Sequence, residues 1–160
     1  MSDPDPISVR SASTSEARSI AALLHDFNTE FGEPSPGAEV LAARVARMID
    51  GGATVWLVAL DGDQMVGLAQ STFQETVWSD RPVLHLDEFY VVPDRRGAGI
   101  GRALLTEFVR LGETREVAWY GLETGDADRV ARHLYERMGF VNRVETEGQM
   151  LYYERRSSGP

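Results

Sequence analysis

Cysteine is absent from the chain, which removes disulfides, thiolate metal sites and any covalent mechanism that passes through a protein thiolate. Long apolar runs are missing too. No window approaches the roughly 18 apolar residues that a membrane span requires, so no membrane association is expected. The start, Met1-Ser2-Asp3-Pro4-Asp5-Pro6, lacks the basic and apolar regions of a signal peptide, and a cytoplasmic location is expected. Positive charge is scarce: 25 acids stand against 16 Lys plus Arg, for a formal net charge of −9. That balance argues against a nucleic-acid partner and favours cationic small molecules at long range, although acidity most often serves solubility alone. His25, His85 and His133 have no metal-ligand spacing, so no metal is expected. Internal repeats, linkers and low-complexity segments are also lacking.

What is present suits one core. At 160 residues and 42% apolar content, a single domain over residues 1–160 is expected. Ile7 to Arg10 reads as a first strand. Ser13-Thr14-Ser15-Glu16 has capping-box spacing, and Ile20, Leu23, Leu24, Phe27 and Phe31 follow at helical intervals. A second helix carries Leu41, Val45, Met48 and Ile49 and stops at Gly51-Gly52. A hairpin joins Ala53–Leu60 to Gln64–Gln74 through Asp61-Gly62. A loop around Trp78 to Pro82 leads to a β-rich run from Val83 to Val92, then to a helix bearing Ile100, Ala103, Leu104, Phe108 and Leu111 that ends at Gly112. Val117–Leu122 is a further strand. Asp126 is positioned to cap a helix with Val130, Ala131, Leu134 and Met138, which Gly139-Phe140 terminates. Gln149 to Glu154 reads as a last strand.

The third helix opens in an unusual way. Gly97, Gly99 and Gly101 alternate ahead of its apolar stripe, where Ser, Thr, Asp or Asn would ordinarily accept the unpaired N–H groups of the first turn. Glycines leave those donors open to an outside acceptor, and an anion is expected there. A P-loop would need Gly-Lys-Ser/Thr, but Gly101 is followed by Arg102-Ala103; a dinucleotide turn would need Gly-x-Gly-x-x-Gly. The stretch Arg96-Gly97-Ala98-Gly99-Ile100-Gly101 fits Arg/Gln-x-x-Gly-x-Gly instead. With Phe89-Tyr90-Val91-Val92-Pro93 before it and Ala131 to Phe140 after it, the chain resembles the GNAT family of N-acetyltransferases in element order over nearly its whole length.

That resemblance implies an α/β (α+β) fold of the acyl-CoA N-acyltransferase type: a central mixed, largely antiparallel sheet of six to seven strands flanked by about four helices. It implies acetyl-CoA as acetyl donor, with the amides of Gly97, Ala98, Gly99, Ile100, Gly101 and Arg102 on the pyrophosphate and charge added by Arg96 and Arg102. The backbone of Phe89, Tyr90 and Val91 pairs with the pantetheine, an N–H near Val91 facing the thioester oxygen. A bulge is required there, and Pro93 suits a strand that stops pairing. Tyr135 matches the family's general acid. Asp128 stands where the family often carries a pantetheine-contacting Asn, so it is either a contact or a helix-start residue.

Two acids, Asp87 and Glu88, interrupt the apolar run Leu84, Leu86, Phe89, Val91, Val92, and burial would raise a carboxylate pKa toward values useful to a base. Alternation allows only one of them to face the acceptor side; family position favours Asp87, and Glu88 is the alternative. Both could equally hold a cationic substrate or pair with arginine. His85 is at most a relay to Asp87. The acceptor walls expected from the family are Asp26, Phe27, Glu30, Phe31 and Glu33 on one side and Trp78 and Asp80 on the other. Acidic and aromatic groups together suit a cationic amine, a polyamine or an aminoglycoside-like molecule. A protein or peptide amine is the alternative acceptor, and a non-catalytic acyl-CoA sensor the alternative function. Oligomeric state is left open, a homodimer included.

Overall fold

The computed structural model describes residues 7–142 together with Tyr153, Arg155 and Arg156. Two compact units divide the chain after Glu123. The first holds five strands in the order β1-β2-β3-β4-β5: β1 (Ser8–Ser11), β2 (Thr54–Asp61), β3 (Gln64–Thr76), β4 (Ser79–Val91) and β5 (Trp119–Leu122). All neighbours are antiparallel except β4 and β5, which run parallel from Val83↔Trp119 to Leu86↔Leu122. The mixed α/β architecture is as expected, with five strands among the described residues rather than six or seven. The strand expected at Gln149 to Glu154 lies outside those residues except for Tyr153.

Three helices belong to this unit: α1 (Ala17–Glu30), α2 (Ala38–Gly51) and α3 (Ile100–Thr114). A short 3₁₀ turn at Thr14–Glu16 precedes α1, and there Glu16 accepts from the Ser13 N–H at 2.9 Å and from both terminal nitrogens of Arg10. The Arg10 guanidinium holds the Glu16 carboxyl down at about 2. Ile20 and Leu23 of α1 and Val45 of α2 close over Trp56 and Val58 of β2, Leu68 of β3 and Tyr90 of β4. Truncating such a buried side chain to alanine costs about 2–5 kcal/mol. On α3, Ile100, Leu104, Leu105 and Phe108 are buried. Gly67 of β3 explains the close approach of this helix: a Cβ there would lie 3.2 Å from Leu104 Cδ1 and 3.3 Å from Ile100 Cγ2. The first turn of α3 is therefore seated directly on the strand beside β4.

Three local expectations need correction. The loop at Trp78 to Pro82 shrinks to a turn at Val77-Trp78, because β4 already begins at Ser79. Pro82 is tolerated there because pairing is irregular between Thr76↔Ser79 and Gln74↔Val83, where a missing donor breaks no ladder bond. Gly112 does not end α3, which continues to Thr114. Its missing side chain makes room for Tyr120, whose Cε1 would lie 2.2 Å from a Cβ at that position.

The second unit contains α4 (Arg129–Arg137). Asp128, not Asp126, is its N-cap: Asp128 Oδ1 accepts from the Ala131 N–H at 3.0 Å. Gly139, at φ +88°, ends the helix as expected, with the Phe140 N–H on Tyr135 O and the Gly139 N–H on Glu136 O.

Candidate active site

Strand β4 runs into a 3₁₀ turn at Pro93–Arg95 and then into Gly97 and Gly99, whose φ angles are +80° and +81°. Left-handed backbone of this kind costs an L-residue about 1–2 kcal/mol, and both positions face open space where a Cβ would touch nothing within 4 Å. Gly99 is the N-cap of α3 and supplies no side-chain hydrogen bond. No backbone N–H from Gly97 to Arg102 donates to an acceptor among the described residues; the first main-chain bond of the helix is Ala103 N–H to Gly99 O at 3.0 Å. Six main-chain donors thus stand without acceptors among the described residues at the positive end of a helix dipole, an arrangement that suits an anion such as a diphosphate. Arg102 projects from the first turn and is exposed. Arg95 pairs with Asp61.

The edge of β4 opens beside this turn. Its ladder to β5 ends at Leu86↔Leu122, whereas its ladder to β3 continues to Val91. The Val92 N–H donates to Val66 O at 3.0 Å, which turns the N–H and C=O of Val91 to the opposite, unladdered edge. The same alternation puts Phe89 with Val91 and turns the Tyr90 backbone toward β3. So of the three residues expected to pair with a pantetheine, Phe89 and Val91 turn their backbone away from β3 and Tyr90 does not.

A bulge sits where β4 parts from β5. Gln70 opposes Glu88 and Ser71 opposes Leu86, so Asp87 is the inserted residue. The insertion overturns the expectation that only one of the two acids can face the acceptor side. Asp87 Oδ2 accepts from Thr72 Oγ1 at 2.6 Å and from Gln70 Nε2 at 2.9 Å, while Glu88 lies across from Gln70 in the regular register, on the same face as the Leu68–Tyr90 pair. Oδ1 of Asp87 meets His85 Nδ1 at 3.0 Å. A carboxylate only accepts, so that ring nitrogen carries the proton. The imidazole rests over Gly121, where a Cβ would lie 2.9 Å from its Cδ2. Burial, and secondarily the charge of Asp87, pushes the Glu88 carboxyl above the usual glutamate range. Gln70, buried in β3 beside the equally buried Ser71, and Thr72 two residues on were the signal for this cluster that sequence reasoning passed over.

The acceptor residues scatter more than expected. Tyr90 is buried, stacks on Phe27 with ring centroids 5.0 Å apart and donates its hydroxyl to Glu30 Oε2 at 2.9 Å. Burial and the Glu30 carboxylate push its phenol up to about 12. Glu30 is taken up by Arg96, whose NH1 and NH2 donate to its two oxygens at 2.6 and 2.9 Å, while Arg96 Nε donates to Val91 O at 2.9 Å. The two side chains expected on phosphate and on substrate, Arg96 and Glu30, thus pair with each other. Asp26 is exposed on α1, and Phe31, 59% exposed, follows its last turn. Trp78 is 85% exposed at the tip of the β3–β4 hairpin, nine residues before Asp87 and hence roughly 30 Å along the strand. It does not join the acid cluster.

In the second unit, Tyr135 is buried, and its ring lies 6.2 Å from that of Phe140. Burial, then the Asp128 charge, pushes its phenol up to about 12, so it stays protonated across the neutral range. Asp128 spends its carboxylate on the start of α4.

A profile of the acetyltransferase (GNAT) family matches residues 20–140. A crystallised protein of Arthrobacter sp. FB24, assigned to the acetyltransferases, superposes with a TM-score of 0.83 at 40% identity, over 98% of this chain and 100% of that one. The uncharacterized N-acetyltransferase YhfO of Bacillus subtilis is 27% identical over 136 residues, 84% of this chain and 89% of its own length. The thialysine N-epsilon-acetyltransferase of Mus musculus is 28% identical over 91 residues, so the matched region spans about half of each protein, 57% and 53%. An uncapped helix start beside an opened sheet edge, with this profile across both, is one consistent result: the chain belongs to the GNAT family and is an acetyltransferase.

Proposed function

We propose that the enzyme moves the acetyl group of acetyl-CoA directly to a small cationic amine, polyamine or aminoglycoside-like, with donor and acceptor bound together. Acetyl-CoA supplies the acyl group already activated as a thioester. The amides from Gly97 to Arg102 hold its diphosphate, and the Val91 N–H donates to the thioester oxygen as that oxygen gains negative charge. Glu88 takes a proton from the acceptor's ammonium and frees the amine that attacks the thioester carbonyl. As the C–S bond breaks, Tyr135 gives its proton to the departing thiolate and is reprotonated by the second proton that the nitrogen sheds on becoming an amide.

The observation that carries this reading is the bulge at Asp87, which brings two carboxylates to one face beside the open edge. They divide the work. Asp87 is occupied by Thr72, Gln70 and His85 and serves as a fixed negative charge for an approaching cation. Glu88, with its raised pKa, is the better proton acceptor of the two. A net charge of −9 favours cationic acceptors at long range, and the mouse relative is named for thialysine, a small amine.

Thiol release from acetyl-CoA, measured with spermidine, kanamycin, thialysine and a peptide bearing a free α-amine, tests the assignment. Turnover should be at least tenfold more efficient with one of the small amines than with the peptide. A peptide turned over best would replace the acceptor class, and CoA binding without turnover on any amine would leave the chain as an acyl-CoA sensor. Tyr135→Phe should lower kcat at least tenfold with CoA affinity nearly unchanged.

A further inference from the structure

Arg96 belongs to the glycine-turn motif, yet all three of its guanidinium nitrogens are turned to the protein. Nε donates to Val91 O at 2.9 Å, and the two terminal nitrogens grip the carboxylate of Glu30 at 2.6 and 2.9 Å. Glu30 is the last residue of α1, and its Oε2 also receives the Tyr90 hydroxyl at 2.9 Å. The guanidinium lies over the Tyr90 ring, 5.5 Å from its centroid, and that ring stacks on Phe27 one turn earlier in the helix. One side chain therefore joins three pieces: the end of the helix on the Asp87–Glu88 face, the outward carbonyl of the open β4 edge, and the residue directly before Gly97. Its contacts form a planar, two-pronged pair with the Glu30 carboxylate and a donor on a carbonyl that would otherwise face outward.

We propose that Arg96 is a positioning residue rather than a phosphate ligand: with Glu30 it clamps the end of α1 to the donor edge and couples the acceptor side of the enzyme to the acetyl-CoA side. The inference rests on the acetyl-CoA reading above. The clamp works by preorganisation. Fixing Arg96 at both ends holds the chain entering Gly97, so the amides that follow need less ordering when a diphosphate arrives. Coupling is reciprocal, so whatever orders the turn must also order the last turn of α1.

The two roles predict opposite signs at Glu30. If Arg96 were a phosphate ligand, Glu30 would compete for it, and removing the acid would tighten CoA. If Arg96 is a clamp, removing the acid loosens CoA. Calorimetric titration of the full chain with CoA should show about a fivefold weaker Kd for Glu30→Ala and for Arg96→Ala. The double variant should be no worse than either single one, because a broken clamp cannot be broken twice. Glu30→Gln, which keeps an acceptor for Arg96 and for the Tyr90 hydroxyl, should fall within twofold of the parent protein. Hydrogen exchange supplies a readout that a general loss of stability would not reproduce. CoA should slow exchange of the amides of Phe27 to Phe31 in the parent chain and leave them unchanged in Arg96→Ala. Tighter or unaltered CoA binding in Glu30→Ala overturns the clamp, as does CoA binding to the parent chain with no protection at the end of α1. A parent chain that fails to bind CoA sinks the donor reading and the clamp with it.

Discussion

The donor side and the acid cluster occupy consecutive stretches of one strand and its exit turn, yet they are made of different material. The donor side is main chain: amides from Gly97 to Arg102 without acceptors among the described residues, and the N–H of Val91 on an edge that β5 has left. The acid cluster is side chain: Asp87 and Glu88, with Thr72, Gln70 and His85 fixing the first of them. A main-chain site depends on φ and on what is missing, so it is damaged by adding atoms. A side-chain site depends on charge and proton affinity, so it is damaged by removing them. Two helix starts show the same contrast. α3 opens on Gly99 with no side-chain cap, whereas α4 opens on Asp128, whose carboxylate takes the Ala131 N–H. An end left open can receive an anion from outside; an end closed by its own residue has its donor already taken.

The sharpest way to break this contrast is to give α3 the cap that α4 has. Gly99→Asp places a carboxylate where the diphosphate belongs and imposes left-handed strain besides, so CoA affinity should drop by more than about a thousandfold, read by calorimetry. Gly99→Ala imposes the strain alone and should cost about tenfold, in line with the ~1–2 kcal/mol of a left-handed L-residue. Equal losses in the two variants would show that conformation, not competition between anions, governs the turn.

Next in size comes the side-chain half. Glu88→Gln should cut kcat about a hundredfold while CoA affinity stays within twofold. The pH profile carries the sign. Glu88 must be ionised to accept a proton, and its pKa lies above the ordinary 4.5. The acidic limb of kcat/KM should therefore fall at a higher pH than an ordinary glutamate would give, and it should vanish in the glutamine variant. A limb that persists unchanged in Glu88→Gln but is lost in Asp87→Asn would hand the base role to Asp87.

The smallest effect is expected where the cap is only structural. Asp128→Ala should lower stability by about 1 kcal/mol, the usual worth of an N-cap, with CoA affinity unaltered. A large loss of CoA binding in that variant would instead make Asp128 the cofactor contact that the family's usual Asn suggests.

Legibility in the sequence followed the same division. The glycine turn, the start of α3's apolar stripe and the Gly139-Phe140 stop are local signals, written in residues a few positions apart, and they could be read directly. The bulge could not be, because it exists only as a mismatch between β4 and β3. Alternation along β4 alone assigns Asp87 and Glu88 to opposite faces, and only pairing with Gln70 and Ser71 reveals the inserted residue. Gly112 read as a stop because its partner, Tyr120, lies on the next strand. Arg96 and Glu30 are 66 positions apart, beyond any spacing rule, so each was assigned to the ligand its own neighbourhood suggested. Trp78 was placed in the acceptor wall by the resemblance, and the length of β4 separates it from the acid cluster.

The inserted residue in β4 has an evolutionary corollary. Deleting one codon at Asp87 would restore strict alternation, withdraw one carboxylate from the face that Gln70 and Thr72 share and leave the glycine turn untouched. A relative could thus change the charge it offers an incoming nucleophile through a length change of one amino acid, with no substitution in the donor machinery. Comparisons among such enzymes should therefore look at indels in this strand before they look at exchanged side chains.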